Sequence, residues 1–290
     1  MPLWIPLACI LAMLGCARGK NIIVVGSKNF PEQAILGELL AQHIEARTRL
    51  RVERRSYLSG TYICHQALLS GRIDIYVEYT GTALTAILKD KPQSDPQAVL
   101  VRVREEYQRR YGLIVEPPLG FNDSFAVVIR REDARRLGIL AISDAAKFAP
   151  AWRPGFGYEF MERPDGYVGL VKAYGLKFAA SPRIMDLGLL YRALLDHQVD
   201  IVAGNTTDGQ LATLDFTALE DDRRYFPPYQ AVPVVRGDML AQYPAVAKAL
   251  TELAGKISDR DMQLMNYAVV GERKDTAAVV RQFLKSKSLD

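Results

Sequence analysis

The chain has 290 residues, of which 49% are hydrophobic and 24% are charged, and its net charge is +4. This is the composition of an ordinary globular protein that is long enough for two lobes with separate cores, and it excludes disordered and fibrous proteins. Because the net charge is small, nucleic acid is not an expected partner.

The first segment has the features of a signal peptide. Residues 1–15 form an apolar run that is too short to span a bilayer. It ends in Met13-Leu14-Gly15-Cys16, which resembles a bacterial lipobox, although Met13 replaces the usual Leu and no Lys or Arg precedes the run. We therefore predict a signal peptide over residues 1–16, with Cys16 as the lipidated first residue of a membrane-anchored protein outside the cytoplasm. A plain cleaved signal peptide is the alternative.

Neither the cysteines nor the histidines suggest a metal site or a disulfide. Once Cys9 leaves with the signal peptide and Cys16 carries lipid, Cys64 has no partner, and its apolar helical surroundings predict a small buried side chain. The three histidines stand far apart, without a second Cys or His at metal-ligand spacing. We expect no metal and no cofactor.

The mature part begins with a strand, a polar loop and a helix. Ile22–Val25 predicts the strand, Gly26–Phe30 the loop, and Pro31 the first residue of the helix. Such a loop lies at the carboxyl edge of the sheet, where free backbone N–H groups and Lys28 can meet a carboxylate. Five arginines follow between residues 47 and 55, at a predicted helix end and strand. A solvated face is the expected interpretation, and an anionic partner is the alternative.

One structural unit occurs twice in the chain. Residues 67–82 predict a helix, a tight turn, a short buried strand and a Thr/Gly loop that opens another helix at Thr82, and residues 193–208 repeat this pattern, with a helix opening at Asp208. Two distant copies indicate two similar α/β lobes rather than a solenoid. Tyr79 and Asn205 hold matching positions at strand ends, so two facing lobes would direct both side chains into one cleft.

Turn formers near Gly120-Phe121 and Pro227-Pro228 mark two expected crossings between the lobes. Residues 22–120 and 228–290 would form lobe one, and residues 121–227 lobe two. The crossings would act as a hinge.

Motifs of common enzymes are missing. The chain has no G-x-S-x-G elbow, P-loop, H-E-x-x-H or G-x-G-x-x-G motif. A binding protein is therefore predicted instead of an enzyme. A two-lobed sensor domain is the alternative, although such domains are normally fused to DNA-binding or membrane-spanning segments.

Six segments, in order along the chain, carry a resemblance to a known family: Val25–Gln33, Glu78–Thr82, Gly120–Asp123, Glu159–Tyr167, Thr207–Gly209 and Glu220–Tyr229. Together they resemble the osmoprotectant-binding proteins, which serve ABC importers of glycine betaine, choline and carnitine. The resemblance implies a two-lobed type II periplasmic-binding-protein fold, a quaternary ammonium ligand, permease partners and a monomer.

The family's site is a box of aromatic faces around a trimethylammonium group, which cannot donate hydrogen bonds but is attracted to ring quadrupoles. The resemblance places Tyr79, Phe125, Asn205 and Tyr229 at the box positions, with Asp123 nearby. It makes Lys28, Thr82 and Arg163 candidates for binding a carboxylate of the ligand. Phe125 and Asn205 depart from the usual Tyr.

Other interpretations apply to each residue. A tyrosine can be part of the core, Arg163 can pair on the surface, Lys28 can be a solvated loop residue, and Asp123 can cap a helix or hold a turn. The ligand also stays open. Asn205 leaves space and a hydrogen-bonding amide that suit a bulkier aromatic betaine such as ergothioneine.

Overall fold

The computed structural model describes residues 21–290, so the predicted signal peptide and Cys16 lie outside the described residues. Within this range no helix is long and apolar enough to cross a membrane. The strands are β1 (Ile22–Gly26), β2 (Arg51–Arg55), β3 (Ile75–Tyr79), β4 (Leu113–Val115), β5 (Phe125–Arg130), β6 (Pro154–Phe156), β7 (Arg183–Ile184), β8 (Ile201–Asn205), β9 (Phe216–Ala218) and β10 (Ala231–Arg236).

Helices surround these strands. A π-helix spans Ala83–Ile87, directly after the short α-helix Thr80–Thr82, and a 3-10 helix spans Ala149–Ala151. The α-helices are α1 (Pro31–Arg47), α2 (Thr61–Leu69), α3 (Thr80–Thr82), α4 (Pro96–Tyr111), α5 (Arg131–Leu137), α6 (Ile142–Ala145), α7 (Tyr158–Glu162), α8 (Tyr167–Tyr174), α9 (Leu187–Leu195), α10 (Gly209–Thr213), α11 (Gly237–Gln242), α12 (Pro244–Glu252), α13 (Asp259–Val270) and α14 (Thr276–Ser286).

The strands form two five-stranded sheets with the same plan. Their orders are β2-β1-β3-β10-β4 and β7-β6-β8-β5-β9. In each sheet the first three strands are parallel, and the fourth is antiparallel to both of its neighbours. The prediction of two similar α/β lobes is therefore confirmed.

The repeated unit accounts for this likeness. β3 and β8, the strands of the two copies, take the central place in their sheets. Cys64, in α2 beside β3, is buried as predicted, and burial raises the pKa of its thiol to about 12. One detail of the unit was wrong. The helix after β3 begins at Thr80 rather than Thr82, whereas Asp208 directly precedes α10.

Two chain segments connect the sheets and lie side by side. The chain leaves the first sheet after β4, enters the second at β5, and returns between β9 and β10. Backbone hydrogen bonds join the two crossings, from Asp123 N to Tyr229 O and from Ala231 N to Phe121 O. Gly120 has a φ of +121°, and a Cβ atom there would lie 2.7 Å from the carbonyl oxygen of Ile257. Only glycine fits this bend without strain.

The C-terminal helices pack mainly on the first lobe. α12, α13 and α14 all contact α1, while α13 also packs against α10 of the second lobe. The five arginines lie where the sequence predicts: Arg47 ends α1, Arg49 lies in the bend that follows, and the other three lie on β2. Three of them pair with carboxylates on the exposed surface: Arg47 with Glu252, Arg54 with Glu38 and Glu45, and Arg55 with Glu53.

Candidate ligand-binding site

A cavity between the two sheets brings all of the predicted site residues together. It encloses about 740 Å³ of atom-free space, part of it open to solvent. Its lining includes Lys28, Tyr79, Thr82, Asp123, Phe125, Arg163, Asn205 and Tyr229.

The sheet topology explains why residues so distant in sequence meet here. Tyr79 ends β3 and Asn205 ends β8, so both side chains lie at the carboxyl ends of central strands, where open α/β sheets bind ligands. Phe125 begins β5 and pairs with Asn205 because β5 and β8 are antiparallel. Tyr229, just before β10, packs on Gly81, where a Cβ atom would lie 2.8 Å from the tyrosine ring.

Aromatic rings from both lobes line the cavity. Phe30 and Tyr79 are stacked, with ring centroids 6.5 Å apart. Phe125 meets Tyr229 edge to face at 5.7 Å and Phe160 at 4.9 Å. Such pairs hold rings in fixed orientations. Tyr79 and Tyr229 are also almost fully buried, which makes both of them rigid walls.

Arg163 lies among these rings. Its guanidinium carbon is 5.3 Å from the ring centroid of Phe125 and 5.6 Å from that of Tyr229. It is not a surface residue, because its side chain is only 9% exposed and forms a bidentate pair with Asp165 at 2.8 and 2.6 Å. Burial alone would lower the pKa of Arg163, but Asp165 more than offsets this effect, so the pKa is raised and the charge is kept. Arg163 also donates to Thr82 Oγ1 at 3.3 Å, linking the lobes.

Lys28 is buried as well, which overturns the alternative of a solvated loop residue. Its ammonium group lies 4.9 Å from the ring centroid of Tyr79 and pairs with the fully buried Glu78. Glu78 further accepts hydrogen bonds from the Tyr76 hydroxyl at 3.1 Å and from the Tyr79 backbone at 2.8 Å. Lys28 therefore enters the cavity as a cation held by a matched carboxylate.

Asp123 and Asn205 form a polar side of the cavity. The Asn205 amide donates to Asp123 Oδ2 at 3.2 Å, and its backbone N–H donates to Asp208 at 2.8 Å. Asp123 does not precede a helix, so it is not an N-cap. Burial raises the pKa of Asp123 well above its usual range, and the nearby Glu32 adds to this shift.

Sequence reasoning did not single out several residues of the site. Phe30 and Phe160 line the cavity, while Glu32 and Asp165 lie beneath it and hold the hydroxyl groups of Tyr79 and Tyr229. Glu32 and Asp165 stand inside motifs that carried the resemblance, so the signal was present. The sequence alone did not indicate that Glu32 and Asp165 would be buried and would accept hydrogen bonds from the two tyrosines.

Two α/β lobes joined by a double crossing, with an aromatic and charged cavity between them, have the architecture of a two-lobed protein that binds small molecules. The chain belongs to the family described as the substrate binding domain of ABC-type glycine betaine transport systems, whose model matches residues 21–286. Proteins of this class bind small molecules and deliver them to permease subunits.

Individual relatives support this assignment. The chain is 32% identical to the carnitine transport binding protein of Listeria monocytogenes over 97% of this chain and 91% of the relative. It is 35% identical to an ergothioneine transport permease and binding protein of Helicobacter pylori over 92% of this chain and 48% of that longer relative. A crystal structure described as a glycine betaine/carnitine/choline ABC transporter superimposes with a TM-score of 0.82 at 32% identity, covering 92% of this chain and 99% of the other.

Proposed function

We propose that the cavity binds a quaternary ammonium compound such as glycine betaine, choline or carnitine. The observation that carries the proposal is the convergence of Tyr79, Phe125 and Tyr229 on one cavity whose rings already attract the cations of Lys28 and Arg163. A trimethylammonium group has no hydrogen to donate, and each desolvated ring face contributes ~0.5–2 kcal/mol to its binding. The rings would hold the ligand's cation.

The polar residues would orient the rest of the ligand. Arg163 has five N–H donors in a planar fork, which suits a carboxylate, and Lys28 and Thr82 lie on the same cavity. Because Asp165 and Glu78 already neutralise the two cations, a ligand carboxylate would share them with these acids. The site should therefore accept both zwitterions, such as glycine betaine, and plain cations, such as choline.

A bulkier betaine such as ergothioneine is the second candidate. A neighbouring cavity of about 680 Å³ shares Phe30, Leu187 and Asn205 with the first, so these three residues lie between the two cavities. A tyrosine at position 205 would fill more of the space between the two cavities than Asn205 does, and would leave less room for a bulky ligand. The Helicobacter pylori relative, whose name includes ergothioneine, also favours this candidate.

Titration calorimetry with glycine betaine, choline, carnitine and ergothioneine tests the proposal. Glycine and ethanolamine serve as matched controls, because they lack the methyl groups of glycine betaine and choline. We expect at least one quaternary compound to bind and both controls to fail. If no compound binds, or if the controls bind equally well, the proposal is wrong.

We further propose that the lobes, residues 22–120 with 228–290 and residues 121–227, close over the ligand about the two crossings. A small ligand must contact both lobes at once to be bound tightly, and closure of the lobes brings this about. Small-angle scattering should show a smaller radius of gyration with saturating ligand. An unchanged radius would speak against hinge closure.

The membrane anchor is also a proposal. We expect a lipid on Cys16 to tether the protein, so Cys16→Ala should release it from membranes in fractionated host cells. If the wild-type protein is already fully soluble, the signal peptide is a plain cleaved one.

A further inference from the structure

Three buried side chains connect the lobes at the polar side of the cavity: Glu32 of α1, Thr207 after β8, and Asp123 of the first crossing. The Thr207 hydroxyl oxygen lies 2.6 Å from Oε2 of Glu32 and 2.7 Å from Oδ1 of Asp123. A hydroxyl group has one hydrogen to donate, so it can donate to only one of these carboxyl groups. The other contact is a hydrogen bond only if that carboxyl group is protonated and donates to Thr207.

The remaining contacts decide which carboxyl group carries the proton. Besides the contact with Thr207, Glu32 accepts hydrogen bonds from the Tyr79 hydroxyl at 2.6 Å and from the Asn266 amide at 2.8 Å. Donors on both oxygens favour the charged form of a carboxyl group. Asp123 accepts from the backbone N–H of Thr207 and, at a longer 3.2 Å, from the Asn205 amide, whereas both side-chain donors to Glu32 lie within 2.8 Å. The negative charge therefore belongs on Glu32 and the proton on Asp123.

We propose that protonated Asp123 donates to Thr207, that Thr207 donates to Glu32, and that this proton bridge makes ligand binding tighter at lower pH. The effect on binding rests on the proposed function. The bridge continues at each end into a wall of the cavity, through Glu32 to Tyr79 and through Asp123 to Asn205. Glu32 and Thr207 are then positioning residues that hold the two walls at a fixed separation.

Burial and nearby negative charge both favour a proton on Asp123. Burial raises the pKa of Asp123 well above its usual range, and burial also raises that of Glu32. Asp208 adds negative charge nearby, whereas the closest part of α13 supplies the uncharged Asn266. The titratable groups around the bridge are Lys28 before α1, Glu78 and Tyr79 on β3, Asp208 after β8, Tyr191 on α9, and Asp259 on α13, which accepts from the backbone of Asn122.

The pH dependence follows from lobe opening. In an open form, water would reach Asp123 and its pKa would return towards the usual range. The closed form therefore holds the proton more tightly, and ligand binding, which favours the closed form, takes up a proton. Affinity is highest at low pH, and it falls by up to about tenfold per pH unit until pH passes the raised pKa of the closed form.

Calorimetry with glycine betaine and choline between about pH 6 and pH 9 tests the bridge, because neither compound changes charge in that range. Measurements in two buffers with different ionisation enthalpies give the number of protons taken up. We expect the Kd of wild type to rise with pH and proton uptake to approach one per ligand. Asp123→Asn should make the Kd independent of pH.

Further variants test whether the pH dependence comes from the hydrogen bonds of Thr207 or from the titration of any buried acid. Thr207→Val should weaken binding most at low pH, where the bridge is complete, and Thr207→Ser should restore much of that loss. Glu116 is a buried acid after β4 whose pKa is also raised by burial, and it lies outside the cavity lining. Glu116→Gln should therefore keep the wild-type pH dependence.

Wild-type binding that is independent of pH and takes up no proton would overturn the bridge while leaving the proposed function intact. If neither compound binds, the proposed function fails for these two ligands, and the bridge is tested with carnitine or ergothioneine bound. Carbon-13 NMR of the carboxyl groups in that complex, with Asp123→Asn to assign the signal, should then show Asp123 titrating well above the usual value of about 4. An ordinary pKa of Asp123 in the complex would overturn the bridge, and if none of the four compounds binds, the effect on binding is overturned together with the proposed function.

Discussion

Phe125 and Asn205 lie directly opposite each other in the antiparallel ladder between β5 and β8. Opposed residues of neighbouring strands project from the same face of a sheet. Phe125 and Asn205, where the resemblance implies tyrosines, therefore form one continuous piece of the cavity wall. A change at Asn205 should alter the space beside Phe125 as well.

Asn205→Tyr should strengthen the binding of a compact ligand such as choline or glycine betaine by ~0.5–2 kcal/mol, or about two- to thirtyfold in affinity, because it adds one cation–π face. It should weaken a ligand that hydrogen-bonds the amide, since an unpaired buried polar group costs ~1–3 kcal/mol. Calorimetry with choline and ergothioneine compares the two effects. Asn205→Ala is the control, because it removes the amide without adding a ring. Equal changes for both ligands would show that Asn205 does not set specificity.

Tyr79→Ala and Tyr229→Ala should each weaken every quaternary ammonium ligand by ~0.5–2 kcal/mol, because each removes a ring face. Phe125→Tyr should change affinity little, since the ring is kept. Tyr57→Ala serves as a control, because Tyr57 is 59% exposed and outside the cavity lining. If both alanine variants bind as tightly as wild type, the aromatic box is not the ligand site.

Arg163→Lys should weaken glycine betaine by about tenfold and choline by less, because lysine keeps the charge but loses the planar fork that suits a carboxylate. The ratio of the two dissociation constants is the measurement. Arg54→Lys provides a matched control in a surface ion pair with Glu38 and Glu45. An equal loss for both ligands would remove Arg163 from recognition of the carboxylate.

Asp200→Asn should lower the free energy of unfolding at neutral pH by ~1–2 kcal/mol. Burial raises the pKa of Asp200, but hydrogen bonds from Arg153 at 2.9 Å and Arg130 at 3.0 Å outweigh it and bring the pKa down to about 2. A lowered pKa stabilises the fold above the unfolded pKa near 4, and this stabilisation is lost as pH falls towards 2.

Urea unfolding at several pH values should therefore show the difference between Asp200→Asn and wild type shrinking over that window. Asp215→Asn is the control, since the side chain of Asp215 is 87% exposed. A difference that stays constant with pH would mean that the arginine pairs do not stabilise the fold through the charge of Asp200.

Much of the architecture was predictable because its signals are local. The repeated unit around β3 and β8 predicted two similar lobes, and placed Tyr79 and Asn205 at matching strand ends. The motifs also supplied the remaining candidates, which line one cavity. The helix boundary at Thr80 was missed because a threonine can either begin a helix or cap it.

Two buried polar contacts of the site were decided by tertiary structure alone. Lys28 pairs with Glu78 across 50 residues of sequence, and Thr207 reaches Glu32 across 175. A sequence shows which residues carry charge, but burial and pairing depend on which sheet edges face each other after folding. The sequence by itself determined two lobes and an aromatic site, whereas the fold decided that Lys28 is neutralised by Glu78 and that two acids meet at one hydroxyl group. Lys28 and Glu78 meet because β1 and β3 pair in one sheet, and Thr207 reaches Glu32 only when both lobes are brought together.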